Sequence, residues 1–202
     1  MLSYQTVEPH TLELLKYLSA VPEFSTLRLV GGTSLALQYG HRTSVDLDFF
    51  GTFDPDVSFS DILCRYGQLS IIKETPKIRV YQLDGIKVDF VNYNYPWLNQ
   101  PLLTDGITLA TPPDIAAMKV NAIEGRGSKK DFIDLYYLLQ HYSIGEILDF
   151  YKEKYPEHSQ FRALMSMAYF EDADMQPMPR MFESISWDDM KQIILDEVKK
   201  CL

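Results

Sequence analysis

Asp46 and Asp48 stand two apart in the run Val45-Asp-Leu-Asp-Phe49. On a strand, side chains at that spacing leave one face together. The two carboxylates therefore share a face while Val45, Leu47 and Phe49 pack behind them. Neighbouring carboxylates repel unless a cation neutralises them, and hard divalent ions such as Mg²⁺ bind carboxylate oxygens together with substrate phosphates. Upstream, Gly31-Gly32 ends a short apolar run and opens a helical segment. A glycine pair in that place brings backbone N–H groups close to an anion such as a triphosphate. The hydroxyls of Thr33 and Ser34 would then meet the β- and γ-phosphates. Arg42 and Ser44, just ahead of the acids, are placed for the same phosphates, a structural ion pair being the alternative for Arg42. The pattern suggests a metal-dependent nucleotidyl-transfer site.

These residues need a sheet to hold them. Leu12, Leu15 and Leu18 recur at helical spacing over residues 8–20, and Pro22 stops that helix. Residues 27–30 read as a strand, 33–39 as a short helix closed by Gly40, and 45–50 as the strand bearing the acids. Ser60 is placed to cap a helix running to Tyr66, with Gly67 as its stop. Strands follow at 69–73, 78–83 and 86–93, the last two flanking the hairpin signal Asp84-Gly85. In the second arm Val88 and Phe90 share one face and Asp89 takes the other, between Lys87 and Val91. If this arm lies beside the Asp46/Asp48 strand, Asp89 is a third carboxylate on the same face. Residues 94–106 read as irregular, with a further short strand at 107–110.

From Thr111 the chain turns helical. Thr111-Pro-Pro-Asp114 is a capped helix start, and the helix runs to about Glu124. Lys119 lies four residues from both Ile115 and Ile123, on or beside the apolar stripe, where a lysine either has a use or snorkels to water. Further helices are expected at 129–141, 144–155, 159–170 and, capped by Ser186 and Asp189, to about Lys200. Residues 171–179 read as a loop. Asp131 and Asp134 are three apart on one face of the second of these helices, which on spacing alone reads as a solvated face. Arg126, Lys129 and Lys130 form a basic cluster suited to RNA or phosphate, or ordinary surface charge. His41 has no assigned role. The expected architecture is a mixed, α+β-like α/β fold: a small twisted sheet flanked by helices over 1–110, then a helical region over 111–202 packing on it.

Composition narrows the partners. The 202 residues carry 19 basic and 28 acidic side chains, a net charge of −9, which argues against a general nucleic-acid binder with a broad basic surface. Cys64 and Cys201 are isolated and the four histidines lack zinc spacing. No apolar stretch approaches the roughly 20 residues that span a bilayer, and no basic-then-apolar leader opens the chain. A cytoplasmic protein without a membrane role is expected.

Written as a pattern, the chain has GG, residues 33–45, then DxD and a later strand carboxylate. This resembles the DNA-polymerase-β-like nucleotidyltransferase superfamily. More closely, GGTSL…RTSVDLDFF is similar to the AbiEii/AbiGii abortive-infection toxin family, as are DIAAMK (Asp114, Lys119) and KKDFIDLYYLL (Asp131, Asp134). The resemblance spans residues 27–141. It implies transfer of a nucleoside monophosphate from an NTP with release of pyrophosphate, Mg²⁺ or Mn²⁺ held by Asp46, Asp48 and Asp89, and a toxin role in a toxin–antitoxin or phage-defence system with a cognate antitoxin. It also implies that Lys119 binds nucleotide phosphates and that Asp131 and Asp134 face the active-site cleft and position the nucleotide or that lysine. Relatives suggest tRNA or protein as acceptor. Two other readings stay open: a non-catalytic nucleotide- or partner-binding protein, and a small-molecule nucleotidyltransferase of the antibiotic-modifying type. Gly32 stands where many nucleotidyltransferases outside this family carry serine, and no motif marks the C-terminal third.

Overall fold

Alternation of apolar and polar residues builds the sheet that carries the acids. In the computed structural model, which describes residues 1–201, seven strands form one mixed sheet in the order β3-β4-β5-β2-β1-β7-β6. They are β1 (Leu27–Val30), β2 (Leu47–Gly51), β3 (Leu69–Glu74), β4 (Ile78–Leu83), β5 (Ile86–Asn92), β6 (Leu102–Thr104) and β7 (Ile107–Leu109). The chain divides into two compact units: residues 1–38, 44–94 and 101–110 form the first, and residues 39–43, 95–100 and 111–202 the second.

In the first unit the sheet has two unlike faces. Leu47 and Phe49 of β2, Val88 and Phe90 of β5, and Leu29 of β1 point into a core shared with Leu14, Leu15 and Leu18 of α1 (Pro9–Ser19) and with Phe59 and Leu63 of α3 (Phe59–Leu63). Burying several such side chains stabilises the sheet by roughly 1.5–3 kcal/mol each. Residues one step along the strands, Asp48, Phe50 and Asp89, turn the other way and are half-buried. The β4–β5 hairpin fixes which residues do so. Asp84 and Gly85 both take positive φ, 47° and 84°, the conformation a two-residue hairpin requires. The Asp84 carboxylate accepts the Gln68 N–H at 2.7 Å, and any Cβ on Gly67 would lie 2.1 Å from it.

The second unit is helical. It contains α4 (Pro112–Gly125), α5 (Lys129–Leu138), α6 (Ile144–Lys154), α7 (Gln160–Ser166), α8 (Glu171–Asp174) and α9 (Trp187–Lys199). Ser143 and Glu146 close α6 with a reciprocal capping box. The segment 39–43 joins this unit through main-chain bonds from Thr43 N to Arg180 O at 2.9 Å and from Phe182 N to His41 O at 3.0 Å.

Several expectations are corrected. The acid-bearing strand starts at Leu47, so Val45 is exposed rather than packed behind the acids. Ser44 N is taken by Thr6 O, which holds the approach to the strand outside the sheet ladder. Ser58 rather than Ser60 caps α3, which ends at Leu63. Residues 102–104, expected irregular, pair with β7 across a second Asp-Gly turn at Asp105-Gly106. The helix expected over 159–170 stops at Ser166, and a short helix, α8, stands within the expected loop.

Candidate active site

The first unit places the sheet acids in register. β2 and β5 run parallel with Asp48 opposite Asp89, so both carboxylates leave neighbouring strands on the half-buried face. Adjacent strands lie about 4.8 Å apart, within reach of one ion. Asp46 precedes the strand by one residue. α2 (Gly31–Tyr39) starts against the Asp48 carboxylate. Gly31 has φ +68°, and a Cβ there would stand 2.6 Å from Asp48 Oδ2. Both the backbone angle and the closeness of the carboxylate demand glycine. Thr33, buried to 1% exposure, exchanges a 2.8 Å hydrogen bond with Ser44 Oγ and donates to the Asp46 carbonyl oxygen. Ser34 is fully buried and accepts from Gln38 Nε2 at 3.1 Å. These two hydroxyls thus hold the protein's own backbone and side chains. Lys87, two residues before Asp89 on β5, donates to both of its oxygens at 2.6 and 2.5 Å.

The second unit holds a buried ion network. Lys119 Nζ lies 3.0 Å from Asp131 Oδ1 and 2.7 Å from Asp134 Oδ2. Arg42 grips Asp134 with two nearly parallel bonds, Nε to Oδ1 at 2.7 Å and Nη2 to Oδ2 at 2.8 Å, the geometry that suits a guanidinium. His41 Nε2 lies 2.8 Å from the same Oδ1, and its Nδ1 is buried without a hydrogen-bond partner among the described residues. Asp131 also takes bonds from Arg126 Nε at 2.9 Å and Ser128 Oγ at 2.6 Å. Burial alone would raise the Asp134 carboxyl, but the charges of Arg42 and Lys119 hold it well below the ordinary carboxylate range. Burial likewise opposes ionisation of Asp131, and Lys119 and Arg126 overcome it. Burial would lower the Lys119 ammonium, yet Asp134 and Asp131 keep it above its ordinary value. Both carboxylates and the lysine are thus charged at neutral pH.

The chain matches, over residues 13–200, the family described as nucleotidyl transferase AbiEii toxin of type IV toxin–antitoxin systems. It is a member of the AbiEii nucleotidyltransferase toxin family. An uncharacterized protein of Aquifex aeolicus (strain VF5) is 39% identical over 187 residues, covering 86% of this chain and 87% of the relative. Two solved structures share the fold. One, from H. pylori and described provisionally as a nucleotidyltransferase, has a TM-score of 0.60 at 20% identity and covers 96% of this chain and 99% of its own. The other, JHP933 from Helicobacter pylori, has a TM-score of 0.55 at 19% identity and covers 96% of each chain. The protein is a nucleotidyltransferase, as the resemblance of its motifs implied.

For this AbiEii member the fit of a divalent cation rests on donor chemistry and placement. Asp46, Asp48 and Asp89 offer hard oxygens, two of them on paired strand positions, and Gly31 leaves the Asp48 carboxylate the space a Cβ would fill. The rotamers are not gathered round an ion: among the described residues no three His, Cys, Asp or Glu side chains converge on one. Asp89 instead faces Lys87. Carboxylate oxygens are the donors a hard cation takes, and the Lys87 bond is the contact Asp89 would have to give up to offer its own.

Of the residues singled out in the sequence, Gly31, Gly32, Thr33, Ser34, Ser44, Asp46, Asp48 and Asp89 fall in the first unit, and Arg42, Lys119, Asp131 and Asp134 in the second. Asp131 and Asp134 face neither solvent nor an open cleft, since both are fully buried. Lys129, read as part of a basic surface, is buried against Trp187 and donates to Asp174 O at 3.1 Å. Asp114 is buried, meeting Lys154 Nζ and the Leu98 N–H at 2.8 and 2.9 Å. Sequence reasoning missed His41 and Lys87 as partners of the aspartates. For Lys87 the signal was present, because a lysine two residues before a strand aspartate shares its face. No described helix is long and apolar enough to cross a membrane.

Proposed function

We propose that the protein transfers a nucleoside monophosphate from an NTP to a hydroxyl of an RNA or protein acceptor and acts as the toxin of a toxin–antitoxin pair. The observation that carries this reading is the pairing of Asp48 with Asp89 on parallel strands, pressed against Gly31 at the start of α2. In the reaction the acceptor oxygen bonds to the α-phosphorus, the bond to the β-phosphate oxygen breaks, and pyrophosphate leaves while the hydroxyl proton passes to water. Asp46, Asp48 and Asp89 would hold Mg²⁺ or Mn²⁺, which when bound neutralises phosphate charge and makes the attacking hydroxyl more acidic. The N–H groups at the start of α2 would meet the β- and γ-phosphates. Thr33 keeps Asp46 in place by gripping its carbonyl, with Ser44 completing the chain. Lys119 is the candidate for a direct phosphate contact, with Asp131 and Asp134 holding its ammonium. Arg42, committed to Asp134, would act through that carboxylate.

Two features favour a macromolecular acceptor over an antibiotic-like one: the toxin family to which the chain belongs, and that family's match through residue 200. The net charge of −9 makes a cognate antitoxin with a basic face a reasonable partner. Incubation with each α-labelled NTP, Mg²⁺ and total RNA or protein tests the proposal. Label on RNA or protein that disappears with Asp46→Ala or Asp48→Ala is the expected result. Label confined to a small metabolite, or unaffected by both substitutions, overturns it.

A further inference from the structure

Asp89 already has a cation set across both its oxygens, the ammonium of Lys87. Lys87 and Asp89 are two residues apart on β5 and point to the same face, so the lysine needs no long-range packing to reach its partner. Both side chains keep contact with water, at 45% and 21% exposure. From β4, Gln82 stands opposite Lys87 and Val80 opposite Asp89. From β2, Asp48 stands opposite Asp89. Neither β4 neighbour brings a charge that would hold the lysine elsewhere.

An ammonium set between the two oxygens takes the side of the carboxylate where a metal ion would bind bidentately, and its charge repels a second cation there. An exposed ammonium–carboxylate pair is worth only up to about 1 kcal/mol, so a divalent ion can displace it. We propose that Lys87 is a resident competitor of the metal: it neutralises Asp89 in the empty protein and yields the carboxylate when a divalent ion binds. This rests on the assignment of Asp46, Asp48 and Asp89 as the metal-binding acids. Holding the third carboxylate by an exchangeable cation has two consequences. Like-charge repulsion between Asp48 and Asp89 is relieved without burying either group. The ion also completes its ligand set only by expelling the lysine, which lowers its affinity when no substrate phosphate is there to help.

The test measures Mn²⁺ binding to the full-length protein without nucleotide, read as loss of the free-ion paramagnetic resonance signal. Lys87→Met keeps the aliphatic stem and removes the charge. It should tighten binding about two- to fivefold, the worth of an exposed pair, whereas Lys87→Arg should stay near wild type. In an Asp89→Asn background, Lys87→Met should have no effect, since the lysine acts through that carboxylate. Unchanged or weaker Mn²⁺ binding by Lys87→Met, with wild-type binding still reduced by Asp48→Asn, overturns the Lys87 role and leaves the metal assignment standing. Wild-type binding that Asp48→Asn and Asp89→Asn both leave intact overturns the metal assignment, and the Lys87 role with it.

Discussion

The protein uses aspartate in two opposite ways. On the sheet, Asp48 and Asp89 are half-buried, and the cation on Asp89 is a lysine that is itself half in water. In the helical unit Asp131 and Asp134 are fully buried and held by Lys119, Arg42, Arg126 and His41. The first arrangement keeps oxygens where an outside cation can reach them. The second uses them up on the protein's own cations, which makes them structural. A carboxylate's role is therefore set by how many fixed cations surround it and how far water has been removed.

The sharpest way to break this contrast is at Asp134. Asp134→Ala strands Arg42 and Lys119 without their shared counter-ion and should cost about 3–5 kcal/mol in urea unfolding. A loss near zero would make the network ornamental. The milder Asp134→Asn should show in the acid limb. The Asp134 carboxyl titrates below its ordinary 3.8 in the folded protein, so near and below that pH the unfolded chain binds the extra proton. The stability it contributes is full above about pH 4 and is lost as pH falls towards the folded value, and the substitution should flatten that slope by up to about 1.4 kcal/mol per pH unit.

Asp48→Asn should do the reverse. Its unfolding free energy should stay within about 1 kcal/mol of wild type, while NTP-dependent labelling falls by about 100-fold or more as a transition-state charge contact is lost. A protein that unfolds but labels normally would exchange the roles of the two groups. Gly31→Ala sits between them, because its Cβ would press on Asp48 Oδ2 in a backbone conformation that alanine resists. A stability loss of about 1–3 kcal/mol together with reduced labelling is expected. The smallest effect is assigned to Thr33→Val, which removes the hydroxyl on the Asp46 carbonyl and should cost about 1 kcal/mol. Its labelling should fall through kcat more than through the KM for NTP, and Thr33→Ser should recover it. A KM effect alone would instead place the hydroxyl on the nucleotide.

The sheet's acids were largely legible in the sequence. Alternation from Leu47 to Phe50, the Asp84-Gly85 turn and a second alternating arm suffice to bring Asp48 and Asp89 to one face. The missed strand β6 obeys the same rule, as Asp105-Gly106 repeats the turn signal. Other features were not legible, because they depend on partners far away in the chain. The burial of Arg42 comes from Asp134, and the fixed position of Asp46 from Thr33. Val45 is exposed because contacts from Thr6 and Thr33 delay the strand. A pair such as Lys154 and Asp114 leaves no local trace, since neither residue's neighbours announce the other.

The two-residue turn at Asp84-Gly85 has a consequence for how this family can vary. Because β5 pairs with β4 residue for residue from that turn, loop length decides which side chains of β5 look outward. One inserted residue would slide the arm by a single step, sending Asp89 into the apolar core and Val88 or Phe90 onto the open face. Homologues should therefore tolerate substitutions at the turn far better than changes in its parity, and odd-length insertions there should be absent from active members.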